Sequence, residues 1–257
     1  MPNITPLSEE THSNKYWIRF TSFQFTSSTH QAPVVAAELA SAIKSLALAF
    51  TRQGNIYTLT CLLSPIAGQN LFIDAAGRWL GGYVPSFFRG HPFCLARIPG
   101  TDKMRLCVDE ASGLISETDG ELFFDDKGQL SKAVTDVKDF LTKVEQNRTA
   151  TDQAVSALAD AGLIIPWPVK VKIDNIEVSI PDLYRVDDGK LHSLSDEAFL
   201  HLRKTQALPL AYAQLFSMPN MGLFAKLAQI RKQLDVKTGA RQIQAAVQFD
   251  DDMIRFS

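Results

Sequence analysis

Five histidines, three cysteines and 28 acidic residues are the groups in this chain that could do chemistry, and their spacing supports few reactions. His12, His30, His91, His192 and His201 include no pair one helical turn apart, the spacing by which a helix offers two imidazoles to zinc. Cys61, Cys94 and Cys107 form no Cys-x-x-Cys. Nucleophilic and phosphate chemistry lack their local signatures too, with no Gly-x-Ser-x-Gly elbow, no Gly-x-x-x-x-Gly-Lys loop and no Gly-x-Gly-x-x-Gly. Gly77, Gly81 and Gly82 come nearest, but they flank aromatic strand-like residues instead of opening a helix, so they read as a turn. The inventory assigns no catalytic residue, no metal ligand and no cofactor, and it leans away from an enzyme.

What does gather is a set suited to recognition. Arg78, Trp79, Tyr83, Arg89, His91 and Asp109 fall within one Gly-rich block, and Arg and aromatic side chains are the usual anchors of a binding surface. The competing reading is that Trp79, Tyr83, Phe87, Phe88 and Phe93 fill the core, with Arg89 snorkelling to water or pairing with Asp109 or Glu110. For most of the aromatics, their habit of burial favours that second reading.

The elements that position this block announce themselves by a repeat. Leu-Phe-Ile-Asp-Ala-Ala-Gly at Leu71 to Gly77 returns as Leu-Phe-Phe-Asp-Asp-Lys-Gly at Leu122 to Gly128. An apolar run that stops at Asp and reaches Gly three residues later is a strand entering a tight turn: Asp bonds nearby backbone, and Gly is free to take positive φ. The same turn chemistry accounts for Asp74 and Asp125 better than calcium does, since neither lies in a loop with acids at alternating positions.

Around the repeat, the periods predict an α+β fold, a Gly-punctuated and mainly antiparallel sheet packed by amphipathic helices. Residues 1 to 14 are polar and without period, a surface segment. Trp17, Ile18, Phe20, Phe23 and Phe25 suggest a strand with one slip near Thr21, and Leu39, Ile43 and Leu46 a helix of about three turns after Pro33. A strand follows over 56–63. Short strands are expected at 71–73, 78–83, 93–98, 104–109 and 122–124. Leu130, Val134, Val137, Leu141 and Val144 make one helical stripe, which fails at Arg148; Thr149 and Asp152 then resemble a capping box, placing a break before a second helix that ends at Gly162. Residues 169–180 form a hairpin turning at Asp174-Asn175, with Ile173 opposite Ile176, Val171 opposite Val178 and Lys172 opposite Glu177. It extends the main sheet or covers its end as a small second one. Ser193 and Asp196 signal another helix, Pro209 lies in a first turn, Pro219 marks a halt, and Leu223, Leu227, Ile230 and Leu234 form a last stripe. We expect a single α+β domain over 16–234, preceded by the surface segment 1–15 and followed by an acidic tail, 235–257, that is flexible or forms a short edge strand.

Composition sets the class. With 46% apolar and 21% charged residues the chain reads as a soluble globular protein, and 26 basic against 28 acidic residues leave no footprint for nucleic acid or anionic lipid. No run approaches the roughly 18 apolar residues of a membrane span, and the amino-terminal residues lack the basic start and apolar stretch of a signal peptide. An odd number of cysteines in apolar strand-like surroundings fits buried free thiols. These features point to the cytoplasm, with a protein or small-molecule ligand as partner and the oligomeric state open.

One series of residues carries a family resemblance: Asn70-Leu-Phe-Ile-Asp74, Gly77-Arg-Trp79, Tyr83-Val-Pro85, Arg89 with Pro92-Phe93, Cys107-Val-Asp109-Glu110 and Leu122-Phe-Phe-Asp125, with a looser match at Leu183 to Ser217. It resembles the bacterial SapC family, and the similarity covers most of residues 16 to 218. The chain departs from that pattern at Leu46 to Phe50, where Leu-Ala-Leu-Ala-Phe stands in place of a Pro-led strand. The resemblance implies a non-catalytic binding or assembly protein linked to the cell envelope or surface layer, since the family takes its name from such a layer. Export without a signal peptide would then be needed, and the acidic stretch 250–256 is the feature that hints at one. The alternative it implies is an enzyme or accessory in oxidative modification of a peptide or aromatic substrate, because family members often neighbour flavin-dependent halogenase-like proteins. The resemblance carries no catalytic residues with it.

Overall fold

The structure, a computed structural model, describes residues 2–101, 103–174 and 176–234. The architecture is α+β, and every strand pairing among these residues is antiparallel. The largest sheet orders its strands Ile164–Pro166, Tyr184–Val186, Ala47–Gln53, Ile56–Leu62 and Gln31–Pro33. Its central strand is Ala47–Gln53. Residues 47 to 50 are all buried, so both faces of the sheet are covered there and the usual apolar-polar alternation is missing. Helix Ala207–Ser217 packs on this strand, and the long helix Lys132–Asp160 packs on its neighbour Ile56–Leu62. Where the central strand's pairing with Tyr184–Val186 stops, side chains of helix Ala207–Ser217 take over. Ser217 Oγ accepts from Leu48 N at 2.9 Å, and Gln214 donates to Leu48 O at 3.2 Å while accepting from Val186 N at 2.9 Å.

A second, smaller apolar cluster lies under a three-stranded sheet of Ile4–Pro6, Met104–Asp109 and Phe93–Arg97. Trp17, Phe93, Val108, Phe123 and Val134 form its centre. The long helix serves both clusters, giving Val134, Val137 and Leu141 to the smaller and Ala154, Val155 and Leu158 to the larger. It therefore cannot break at Arg148, and it does not. Thr149 and Thr151 donate to the carbonyls of Glu145 and Asn147, four residues back, so neither hydroxyl caps a new helix; the start signal is the Ser131 hydroxyl, which accepts from Val134 N.

The duplicated turn is real in every bond. Asp74 and Asp125 each accept through Oδ1 from the amides two and four residues on, at 2.9 to 3.0 Å. Gly77 and Gly128 take φ of +75° and +73°, and bridges Ile73–Trp79 and Phe124–Leu130 close the two hairpins. Each glycine also admits a neighbour: a Cβ on Gly77 would lie 1.8 Å from Ser22 Oγ, and one on Gly128 2.3 Å from a Glu9 oxygen. The 169–180 hairpin has the expected register and stands as its own two-stranded sheet, with Val169, Val171, Ile173 and Ile180 buried and Ile176 exposed at its tip.

Other expectations are corrected. Residues 1–14 include the strand Ile4–Pro6 and the helix Glu9–His12, whose His12 is buried against Glu110 at 2.8 Å. Tyr16 to Phe25 is a strand only at Tyr16–Trp17; beyond it the aromatics pack on each other and a 3-10 turn covers Gln24–Thr26. The helix after Pro33 is shorter, a 3-10 turn Ala36–Glu38 leading into Leu39–Ala42. The segments 71–73 and 78–83 make single bridges, not strands. Helix Asp196–Lys204 is capped by Ser195, not Ser193, and the last helix, over 223–234, buries Phe224 and Leu227 and leaves Ile230 exposed. The expected tail over 235–257 lies outside the described residues.

Candidate functional site

The block holding the expected recognition residues is a loop that doubles back on itself. Leu80 N donates to Phe72 O at 2.6 Å, which lays Trp79 against Phe72, ring centroids 5.5 Å apart and nearly parallel. The Trp79 indole then donates to Tyr83 O at 2.9 Å. A Cβ on Gly81 would lie 2.6 Å from Phe72 and 2.9 Å from the indole nitrogen, so only glycine lets the chain pass so close to that pair.

The residue that locks this loop is one the sequence reading missed. Glu38 is buried, and its carboxylate accepts four hydrogen bonds: from Val35 N at 2.9 Å, Ser86 Oγ at 2.9 Å, Ser86 N at 2.8 Å and the Tyr83 hydroxyl at 2.7 Å. Arg89 stands 3.9 Å from the same carboxylate, donates to the Tyr83 hydroxyl and to Val84 O, and lies with its guanidinium carbon 4.9 Å from the Tyr83 ring centroid. Such a carboxylate is satisfied without a bulk counter-ion and fastens the short helix Ser86–Arg89 to the 3-10 turn Ala36–Glu38. The one local signal was a Glu three residues after the extended residue Val35, reaching back to that residue's amide as in a capping box. Burial first, then hydrogen bonding to Glu38, pushes the Tyr83 phenol well above its ordinary range. Burial, then the charge of Glu38, does the same to the Cys61 thiol.

Around this lock the aromatics form a continuous band. His91 stacks on Phe25 at 3.8 Å and 11°, Phe20 meets both rings edge-on, Phe25 reaches Phe88 at 6.4 Å, and Phe87 and Phe23 continue to either side. Phe88 and Phe93 are core, as the bland reading had it, and Trp79 and Tyr83 are half-buried; Phe87 at 50% and Phe25 at 37% exposure are not core at all. Burial holds the His91 imidazole below its usual pKa, against an opposing pull from the Asp109 charge.

Arg78 flanks the band, its guanidinium 2.7 Å from Asp74. Burial works to raise the Asp74 pKa, but the Arg78 amide, guanidinium and charge with the Ala76 amide outweigh it, and the carboxyl falls below its usual range. Asp109 stands apart from the other five. Its carboxylate accepts from Asn3 N at 2.8 Å and Ala111 N at 3.0 Å, ending the strand Met104–Asp109, and it bears on His91 through charge alone. The alternative pairing of Arg89 with Asp109 or Glu110 is replaced by Glu38, while Glu110 holds His12 and Lys15.

Four clefts of about 230, 240, 570 and 300 Å³ open elsewhere on the surface, and none is lined by any of the six residues. Among the described residues, no cluster of three or more His, Cys, Asp or Glu is arranged to hold a metal ion, and no helix is long and apolar enough to cross a membrane. Cys94 and Cys107 face each other across neighbouring strands as free thiols, and burial raises both.

A family model described as SapC matches residues 7–223. The chain belongs to the SapC family. The match takes in Glu38, both Asp-Gly turns and the whole aromatic band of this SapC chain. No curated protein and no solved structure matches it.

Proposed function

We propose that this SapC-family protein is a non-catalytic binding or assembly protein, linked to the cell envelope, that holds its partner on the aromatic band rimmed by Arg78 and Arg89. The observation that carries the reading is Phe87. It stands half-exposed on a four-residue helix that Glu38 pins by two of its four hydrogen bonds, against Phe88, which in turn meets Phe25 and through it the stacked His91. A large apolar side chain held rigidly in water gains free energy when a partner covers it, and rigidity removes the ordering cost that a loose loop would incur. The ionisable groups of the block are used internally: Asp74 satisfies a turn, Asp109 ends a strand, and Glu38 and Tyr83 satisfy each other. The envelope link rests on the family's association with a surface layer.

The test is affinity capture by the full chain from native cells, side by side with Phe87→Ala and Phe25→Ala, and with Phe216→Ala as a control on a different exposed aromatic. The two band variants should lose about tenfold or more of the captured partner, the scale of an interface anchor, and the control none. Equal capture by all four proteins would refute the reading. Fractionation of the same cells should recover the protein with envelope material.

A further inference from the structure

The aromatics of the band have arginines as chain neighbours. Arg78 precedes Trp79, Arg89 follows Phe88, and Arg19 precedes Phe20. The Trp79 and Phe88 ring centroids are 6.1 Å apart, Phe88 reaches Phe25 at 6.4 Å, and Phe25 meets Phe20 at 5.3 Å, so all three arginines flank one continuous run of rings. Each is paired with a carboxylate, and in every pair the anion lies deeper. Side-chain exposure is 68% for Arg78 against 2% for Asp74, 41% for Arg89 against 5% for Glu38, and 65% for Arg19 against 39% for Glu121.

The two buried carboxylates are saturated from within. Asp74 accepts from the amides of Ala76 and Arg78 and from Arg78 Nε, and Glu38 takes its four hydrogen bonds from Val35, Tyr83 and Ser86. Their arginines are not saturated, because a guanidinium has five N–H donors to place. Arg78 turns Nε and Nη2 to Asp74, while Arg89 turns Nε to Val84 O and Nη2 to the Tyr83 hydroxyl; among the described residues Nη1 of each makes no hydrogen bond. The band is thus apolar along its middle, with unfilled cationic donors at its rim and the compensating anions inside the fold.

That combination discriminates by charge. An approaching carboxylate meets a planar donor fork that fits it, whereas an approaching amine meets guanidiniums before it can reach a carboxylate. Nucleic acid also uses arginine and stacked rings, but it binds chiefly through a run of phosphate contacts. Three arginines, one of them matched by the exposed Glu121, on a chain of 26 basic and 28 acidic residues supply no such run. We infer that the partner held by the aromatic band is a peptide segment with acidic residues next to aromatic or aliphatic ones, its apolar side chains covering Phe25 and Phe87 and its carboxylates bonded to Arg78 and Arg89. The inference rests on the binding role proposed for the band and names the chemistry of what is bound there.

A phage-displayed library of short random peptides, selected on the immobilised full chain, reads this preference directly. Peptides retained by wild type and lost on Phe87→Ala are the band's ligands, and they should carry Asp or Glu beside apolar residues, in clear excess over Lys and Arg. The strongest of them should bind at least about tenfold more tightly than the same peptide synthesised with Asn and Gln for its acids. The double variant Arg78→Gln, Arg89→Gln should bind both forms alike, and Arg78→Lys, Arg89→Lys, which keeps the charge, should still prefer the acidic one. Ligands without an acidic excess, or equal affinity of the two forms for wild type, overturn the inference and leave the binding role standing. Tighter binding of oligothymidylate than of any selected peptide, with the same dependence on Phe87, assigns the band to nucleic acid and overturns it too. If wild type enriches no peptide while capture from cells still depends on Phe87, the acidic-peptide assignment fails and the binding role stands; if capture loses its dependence on Phe87, it is the binding role that fails.

Discussion

Replacing Glu38 by glutamine isolates what holds the recognition loop in place. The amide keeps the side chain's shape but must turn an NH₂ toward one side of the site. On the Oε1 side it meets Val35 N and Ser86 Oγ; on the Oε2 side it meets Ser86 N and the Tyr83 hydroxyl. The two hydroxyls can rotate to accept, but each side contains a backbone N–H that cannot, so either orientation orphans one buried donor. That orphan costs about 1–3 kcal/mol, and converting the remaining charge-assisted bonds to neutral ones brings the loss to about 2–4 kcal/mol. Arg89→Gln is the paired comparison, since its ion pair is long at 3.9 Å and 41% exposed, and a screened surface contact of that kind contributes about 0–1 kcal/mol. Denaturant unfolding of the full chain near neutral pH, followed by circular dichroism, measures both. A Glu38→Gln loss within about 0.5 kcal/mol of zero, the range of an ordinary surface change, would refute the account of the loop.

Gly77→Ala and Gly128→Ala should each cost about 2 kcal/mol or more, combining positive φ with a Cβ that collides with Ser22 or Glu9, whereas Gly54→Ala, with φ of +60° but open space, should cost about 1 kcal/mol in the same assay. Thr149→Ala should be neutral or slightly stabilising, because that residue sits inside a continuous helix; a loss of about 1 kcal/mol would restore the capping reading. His91 titrates below its ordinary 6.5 in the folded chain, so the unfolded state takes up the proton first and stability falls as pH drops through that value; it is fully present above it. His91→Phe keeps a ring against Phe25 and removes the titration, so the fall in unfolding midpoint between about pH 7.5 and about 5.5 should be smaller in the variant.

Local chemistry made much of the fold legible. The 169–180 register followed from strict alternation, and the Asp-to-Gly turns followed from residue types whose partners lie within four positions. Reading failed where the partner is distant. Glu38 has its meaning from Tyr83 and Ser86, more than 40 positions away, and its one local signal, the capping-box spacing from Val35, marks a helix start and not a buried carboxylate. The central strand Ala47–Gln53 hid for a related reason: covered on both faces, it has no period of two to detect. The long helix was cut at Arg148 because its apolar stripe changes partner there, from the smaller cluster to the larger, without the backbone breaking. Of the six expected site residues, Tyr83 and Arg89 converge on Glu38, Trp79 holds the Tyr83 carbonyl, His91 joins through Phe25, Arg78 flanks them, and Asp109 serves a strand end.

The central claim is that the aromatic band is a surface built to be covered. A photo-reactive phenylalanine analogue placed at position 87 of the full chain in native cells, and separately at position 216, tests it most directly. The account predicts a discrete adduct to one partner from position 87 that position 216 does not give; the same adducts from both positions, or none from position 87, would contradict it.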